Sequence, residues 1–190
     1  MADSTLVATL GMNEVDEVMT GDISDNAVQS LSPGLLEEAL KSIGLNYMRD
    51  QDGDLCIVLP SERIPCTAMC WFLISDQYPS IFRLYCRVAP PIPQSKWQAT
   101  LFACNEYHML YRFGRFYLSI KPEADAATLC FESQLNLSDG TTTAFLKTFI
   151  TFHLESVCDF LGDPQVHKQL FLAPRKRSSK TTPTEVTHTN

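Results

Sequence analysis

Period-two alternation dominates the middle of the chain. Between Ser80 and Val88, Phe82, Leu84, Cys86 and Val88 fall on one side of an extended backbone, and Ile81, Arg83, Tyr85 and Arg87 on the other. The pattern returns in Arg115–Lys121, where Phe116, Leu118 and Ile120 oppose Arg115, Tyr117, Ser119 and Lys121. It returns again where Leu129, Phe131, Leu135 and Leu137 oppose Thr128, Cys130, Glu132 and Gln134. One apolar and one mixed face predict an antiparallel sheet with helices on one side and water or a partner on the other. Cys66–Ile74 reads as a further, more buried strand. Asn46–Gln51 and Leu55–Leu59 flank Asp52-Gly53, the pair that most readily makes a tight hairpin turn.

Helical spacing appears in three places. After Ser32-Pro33, Leu35, Leu36, Ala39, Leu40 and Ile43 form one apolar stripe that Gly44 closes. Ser95 and Gln98 have capping-box spacing, which predicts a second helix from Lys96 to near Arg112, with Gly114 as its stop. That helix is apolar on two sides: Trp97, Leu101, Cys104 and Tyr111 on one, Ala99, Phe102, Ala103, Met109 and Leu110 on the other. Such a helix is covered twice, within a domain or across a dimer, so Phe102 and Met109 are candidate dimer-interface residues. Behind the turn Asp139-Gly140-Thr141, a third helix gathers Phe145, Phe149, Ile150, His153, Val157, Phe160 and Leu161 on one face. Gly162, Asp163 and Pro164 end it. The fold class is α+β, a single antiparallel sheet with helices in the order α-β-β-β-β-α-β-β-α, over residues 32–162.

Composition refines the flanks. Residues 1–40 carry eight acids and no Lys or Arg, residues 41–161 ten basic and twelve acidic side chains, and residues 162–190 five basic and two acidic. Residues 1–31 lack sustained periodicity and read as an acidic disordered arm; residues 163–190 read as a polar, basic, largely disordered tail. The domain between is nearly neutral, which gives little attraction to polyphosphates. No apolar run reaches the roughly 18 residues of a spanning helix, and no secretory signal opens the chain, so a cytoplasmic protein without membrane contact is expected.

Catalytic motifs are missing: there is no nucleophile elbow, phosphate-binding glycine loop, dinucleotide fingerprint or paired zinc-type cysteine motif. Asp50, Asp52 and Asp54 alternate as calcium ligands do, but an EF-hand loop needs glycine at its sixth position and glutamate at its twelfth, and Gly53 and Ser61 occupy the wrong places. The seven cysteines stand singly and predict core thiols, not a disulfide framework. His108 and His153 lie on apolar helix faces and predict hydrogen-bonded core residues. Neither metal nor cofactor is expected, and the protein is not read as an enzyme. Arg83, Tyr85, Arg87 and Tyr117, on the less apolar sheet face, are the candidate partner-binding residues. They suit a protein or peptide client; single-stranded nucleic acid, stacking on the rings, is the alternative.

The run Leu101, Phe102, Ala103, Cys104, Asn105, Glu106, then Arg112, Phe113, the strand Arg115–Ile120 and the turn Gly140-Thr141 resembles the YbjN family. Its specific element is Cys104-Asn105 followed by Arg112-Phe113. The resemblance spans Leu35–Leu161 and implies a fold like that of type III secretion chaperones. It also implies a small bacterial cytoplasmic protein, often a homodimer, that binds polypeptide segments or acts as a sensory transduction regulator.

Overall fold

The structure, a computed structural model, describes residues 23–60 and 62–171. Its element order is α1 (Pro33–Ser42), β1 (Met48–Arg49), β2 (Leu55–Val58), β3 (Thr67–Ile74), β4 (Ile81–Ala89), β5 (Ile92–Pro93), α2 (Trp97–Leu110), β6 (Arg115–Ser119), β7 (Ala126–Asn136), α3 (Thr143–Gly162) and α4 (Pro164–Leu170). All seven strands belong to one sheet, ordered β1-β2-β3-β4-β7, with β6 along the other edge of β7. Every pairing is antiparallel. The α+β architecture read from the alternation is therefore the observed one, with β5 and α4 added.

The apolar strand faces meet the helices in one core. Phe72, Phe82, Leu84, Phe116, Leu129 and Phe131 pack there with Leu36 and Leu40 of α1, Ala103 and Tyr107 of α2, and Ile150, Val157 and Phe160 of α3. Burying each large side chain stabilises the fold by about 1.5–3 kcal/mol. Ser32 caps α1 by accepting from the Leu35 N–H at 3.2 Å, and Thr142 caps α3 by accepting from Phe145 at 3.0 Å. The 95/98 capping box does not form. A short 3-10 turn, Gln94–Lys96, leads into α2 instead, and no side chain caps it.

Three boundaries differ from the sequence reading. The Ala89–Pro93 run, expected as a connector, contains β5. Arg87 stands opposite Cys130, so unbroken pairing would set Pro90 opposite Ala127, where Ile92 stands instead. The bulge lets β4 and β5 share β7 despite the prolines, which cannot donate to a ladder. The proposed tail boundary at 162 cuts before α4, whose Asp163 cap accepts from Gln165 and Val166 and whose Leu170 is fully buried. The arm boundary at 31 likewise cuts through docked chain. Asp25 pairs with Lys147 of α3 at 3.4 Å, and Gln29 forms an isolated bridge with Thr141. A short acidic stretch and one bridge carry no periodicity, so pattern alone could not mark them. The remainder of both flanks lies outside the described residues.

The register also revises the thiols. Cys70 and Cys86 stand directly opposite each other in β3 and β4, both buried, and form a disulfide. Cys56, Cys104, Cys130 and Cys158 are buried free thiols and Cys66 is half-buried. Burial pushes Cys66 up to about 11 and Cys104 up to about 12, which keeps both protonated at neutral pH.

Gly114 sits where the chain joins β6, at φ 122°, and a Cβ there would come within 2.5 Å of the Phe131 ring. Gly44, at φ 71°, has open space around it. Gly114→Ala should therefore destabilise the fold by about 2 kcal/mol or more, seen as a melting-temperature fall of at least about 4 °C. Gly44→Ala should cost about half as much, the strain of its positive φ alone.

Candidate functional site

Two features of β7 converge on one groove. The first is its backbone. Leu137 donates its N–H to Ser80 at 2.8 Å, so Leu135, Ser133 and Phe131 turn their peptide groups toward β4 and the residues between them toward β6. On that second edge β6 supplies Ser119, Tyr117 and Arg115 opposite Thr128, Cys130 and Glu132, and there it ends. Among the described residues no strand continues beside Gln134 and Asn136, whose N–H and C=O groups face an open edge.

The second feature is what overhangs that edge. A groove of about 850 Å³ runs between the end of β7, the Arg112–Arg115 segment and the first half of α3. Phe113, Leu135, Phe145, Phe149 and Phe152 make it apolar, while Arg112, Arg115 and Glu132 line its polar side. Phe113 and Phe145 are 66% and 48% exposed, and Phe113 meets Phe152 edge to face at 5.8 Å. The sequence reading placed Phe145 on the core face of α3 and did not single out Phe152. Their spacing from Phe149 is helical, but which part of a wide apolar arc stays uncovered depends on how far β6 extends.

Below the groove lies a buried polar pair. Ser133 Oγ and His153 Nε2 are 2.9 Å apart, and His153 Nδ1 lies 2.7 Å from the Phe149 carbonyl. A carbonyl only accepts, so Nδ1 carries a proton; in the neutral ring Nε2 then accepts from the Ser133 hydroxyl. The spacing is that of a nucleophile and its base. The ring is nonetheless closed in by Phe131, Phe149 and Phe152, and serine and histidine are only 7% and 2% exposed. This is mutual satisfaction of buried polar groups, as the sequence reading held for His153. His108 is likewise committed, its Nε2 accepting from the Phe116 N–H at 2.9 Å.

The candidate partner-binding residues lie together on the sheet face that no helix covers among the described residues. Arg87 and Tyr117 flank Cys130 across the sheet; Tyr85 and Arg115 flank Glu132 in the next row; Arg83 stands beside Gln134 in the third. Glu132 is shared by Arg115 at 3.0 Å and Arg83 at 3.6 Å. Tyr85 lies against Trp71 and its hydroxyl is 3.3 Å from Cys130 Sγ. Burial, then that contact, raises the Tyr85 phenol above its ordinary range. The third row is the one that reaches the open edge.

The other singled-out residues separate. Arg112 and Phe113 line the groove, Cys104 is a core thiol and Asn105 is exposed. Phe102 and Met109 are 59% and 81% exposed, with Leu101 and Leu110 also outward. The two sides of α2 divide otherwise than expected: Thr100, Ala103, Cys104 and Tyr107 face the core, and Leu101 and Tyr111 do not. In the 50–54 turn, Asp50 Oδ1 accepts from Asp52 and Asp54 and Oδ2 from the Trp71 indole, so this carboxylate builds the hairpin. Among the described residues no three His, Cys, Asp or Glu side chains are grouped to hold a metal ion, and no helix is long and apolar enough to cross a membrane.

No protein-family model and no curated protein matches the chain. Among solved structures, YbjN from E. coli is similar with a TM-score of 0.61 at 10% identity, covering 77% of this chain and 100% of that one. The ExsC–ExsE complex is similar at a TM-score of 0.41 and 14% identity, over 68% of this chain and 89% of that one. The likeness to YbjN is one of fold: a single antiparallel sheet carrying helices.

Burial lowers the pKa of both His153 and His108, desolvation being the largest cause in each. The unfolded chain therefore takes up protons below about pH 6.5 that the fold resists, and stability should fall as pH drops from 6.5 toward the lowered folded values. Urea titrations between about pH 7.5 and 5 should show this slope, and His153→Gln should flatten it.

Proposed function

We propose that this protein is a noncatalytic, chaperone-like or regulatory protein-binding module that takes an extended polypeptide segment along the open edge of β7. The observation carrying the reading is the coincidence of unpaired peptide groups at Gln134 and Asn136 with an apolar groove on one side of them. An added strand alternates its side chains: one set enters the Phe113, Phe145 and Phe152 groove, the other lies on the opposite sheet face beside Gln134, in the row that Arg83 completes. Main-chain bonds supply affinity with little sequence demand, and no reacting group is needed. The fold shared with YbjN is compatible with this use and does not by itself assign it.

The outward face of α2 supports reading the protein as a homodimer. Leu101 and Phe102 at one end and Met109 and Leu110 at the other, with Asn105 and Glu106 between them, give an exposed face with two apolar patches on a helix whose other side is already in the core. Phe102→Asp with Met109→Asp should shift a dimer to monomer in sedimentation, since a carboxylate at an apolar interface costs several kcal/mol. A wild type that is monomeric at all concentrations would reject this part.

Gln134→Pro isolates the edge. Its N–H faces away from β4, so proline removes the free donor and leaves the β4 ladder intact. Peptides selected by panning against the wild type should bind this variant at least about tenfold more weakly, one lost hydrogen bond plus a blocked approach. Tyr85→Ala with Arg87→Ala should weaken them less. Unchanged binding by Gln134→Pro would remove the strand-addition reading.

A further inference from the structure

The open edge of β7 also has a candidate occupant within the chain. We infer that Thr5–Leu10 adds to Gln134 and Asn136 as a strand in the same molecule, so that an outside segment must displace it; this rests on the peptide-groove reading above. Three observations select this occupant.

The first is reach. The described chain begins at Ile23 on α3, the helix that walls the groove: Asp25 pairs with Lys147, and Gln29 bridges to Thr141 at the start of that helix. Residues 11–22 can span about 40 Å when extended, and a helix is only about 10 Å across. The segment can therefore pass around the N-terminus of α3 to the Asn136 end of the groove. The second is pattern. Thr5–Leu10 alternates Leu6, Ala8 and Leu10 with Thr5, Val7 and Thr9. That is the pattern for an edge with an apolar groove on one side and water on the other, and Thr and Val favour extended backbone. The third is charge. Residues 1–22 carry Asp3, Glu14, Asp16, Glu17 and Asp22 and no Lys or Arg. Arg112 and Arg115 stand at the groove. Glu132 is already shared with Arg83 and Arg115, whereas Arg112 has no carboxylate partner among the described residues. A strand running from Asp3 toward Ile23 parallel to β7 brings its acid to the arginine end.

The test uses the full-length chain, wild type against Leu6→Asp with Leu10→Asp, and two readouts. Amide hydrogen exchange at Gln134 and Asn136 should be about tenfold faster in the double variant, independently of protein concentration. Equal rates would overturn the inference, and so would protection that grows with concentration, the sign of a leader supplied by a second copy. A labelled synthetic peptide of residues 3–12 should bind the double variant at least about tenfold more tightly than the wild type, and Phe152→Asp added to that variant should abolish the binding. Equal affinity for both chains would overturn the inference. If panned peptides bind both chains equally and Gln134→Pro still weakens them, the groove reading stands and the internal occupant falls. If no outside peptide binds either chain while the double variant loses protection, the internal strand stands and the client reading falls.

Discussion

The stack of Phe116 on Phe160, with ring centroids 4.0 Å apart, is the contact on which the rest of this molecule turns. Phe116 also meets Phe131 at 4.9 Å and Tyr107 at 4.9 Å, so β6, β7, α2 and α3 are tied at one point. Each such aromatic pair adds about 0.5–1.5 kcal/mol beyond burial. The stack fixes which residue of β6 lies opposite which residue of β7. Arg115 then faces Glu132, and Gly114, its missing side chain filled by the Phe131 ring, carries the chain away from the sheet. β6 is short beside β7 because the chain leaves the sheet at Gly114.

The open edge and the groove are thus two results of one packing decision. Had β6 begun two residues earlier, Phe113 would stand opposite Gln134, the edge would close and the arc of Phe145 and Phe152 would lose its opening. Unpaired strand edges invite association, and proteins commonly blunt them with charge or cover. Here the edge is short, overhung by α3 and flanked by arginines. Those features limit indiscriminate pairing.

Much of the fold was legible in the chain. Strand alternation in β4, β6 and β7 named the inward residues Phe82, Leu84, Phe116 and Phe131, all of which are in the core. The Ser32 cap and the Leu35–Leu40 stripe located α1, and Asp52-Gly53 located the first hairpin. What escaped had no local signature. β5 and α4 are short, and the docking of Gln29 depends on a distant Thr141. The Cys70–Cys86 pair needed a register that neither strand carries alone. Arg112 and Phe113 were singled out through a resemblance, but nothing local showed that they line the same groove as Phe152.

The sequence by itself determined which face of each strand and helix is apolar, because side-chain direction follows backbone period, and period is written in the residues. It thereby determined a one-sided sheet, the alignment of Arg83, Tyr85 and Arg87, and an excess of apolar surface on α2. Only the tertiary structure decided which apolar positions remain uncovered and which peptide groups remain unpaired. Both are set by where neighbouring elements stop: by Arg115 opposite Glu132, by α2 turning Tyr107 inward and Met109 outward, and by α3 laying Phe149 across the end of β7. Those choices are made by packing between residues far apart in the chain, which no local pattern records.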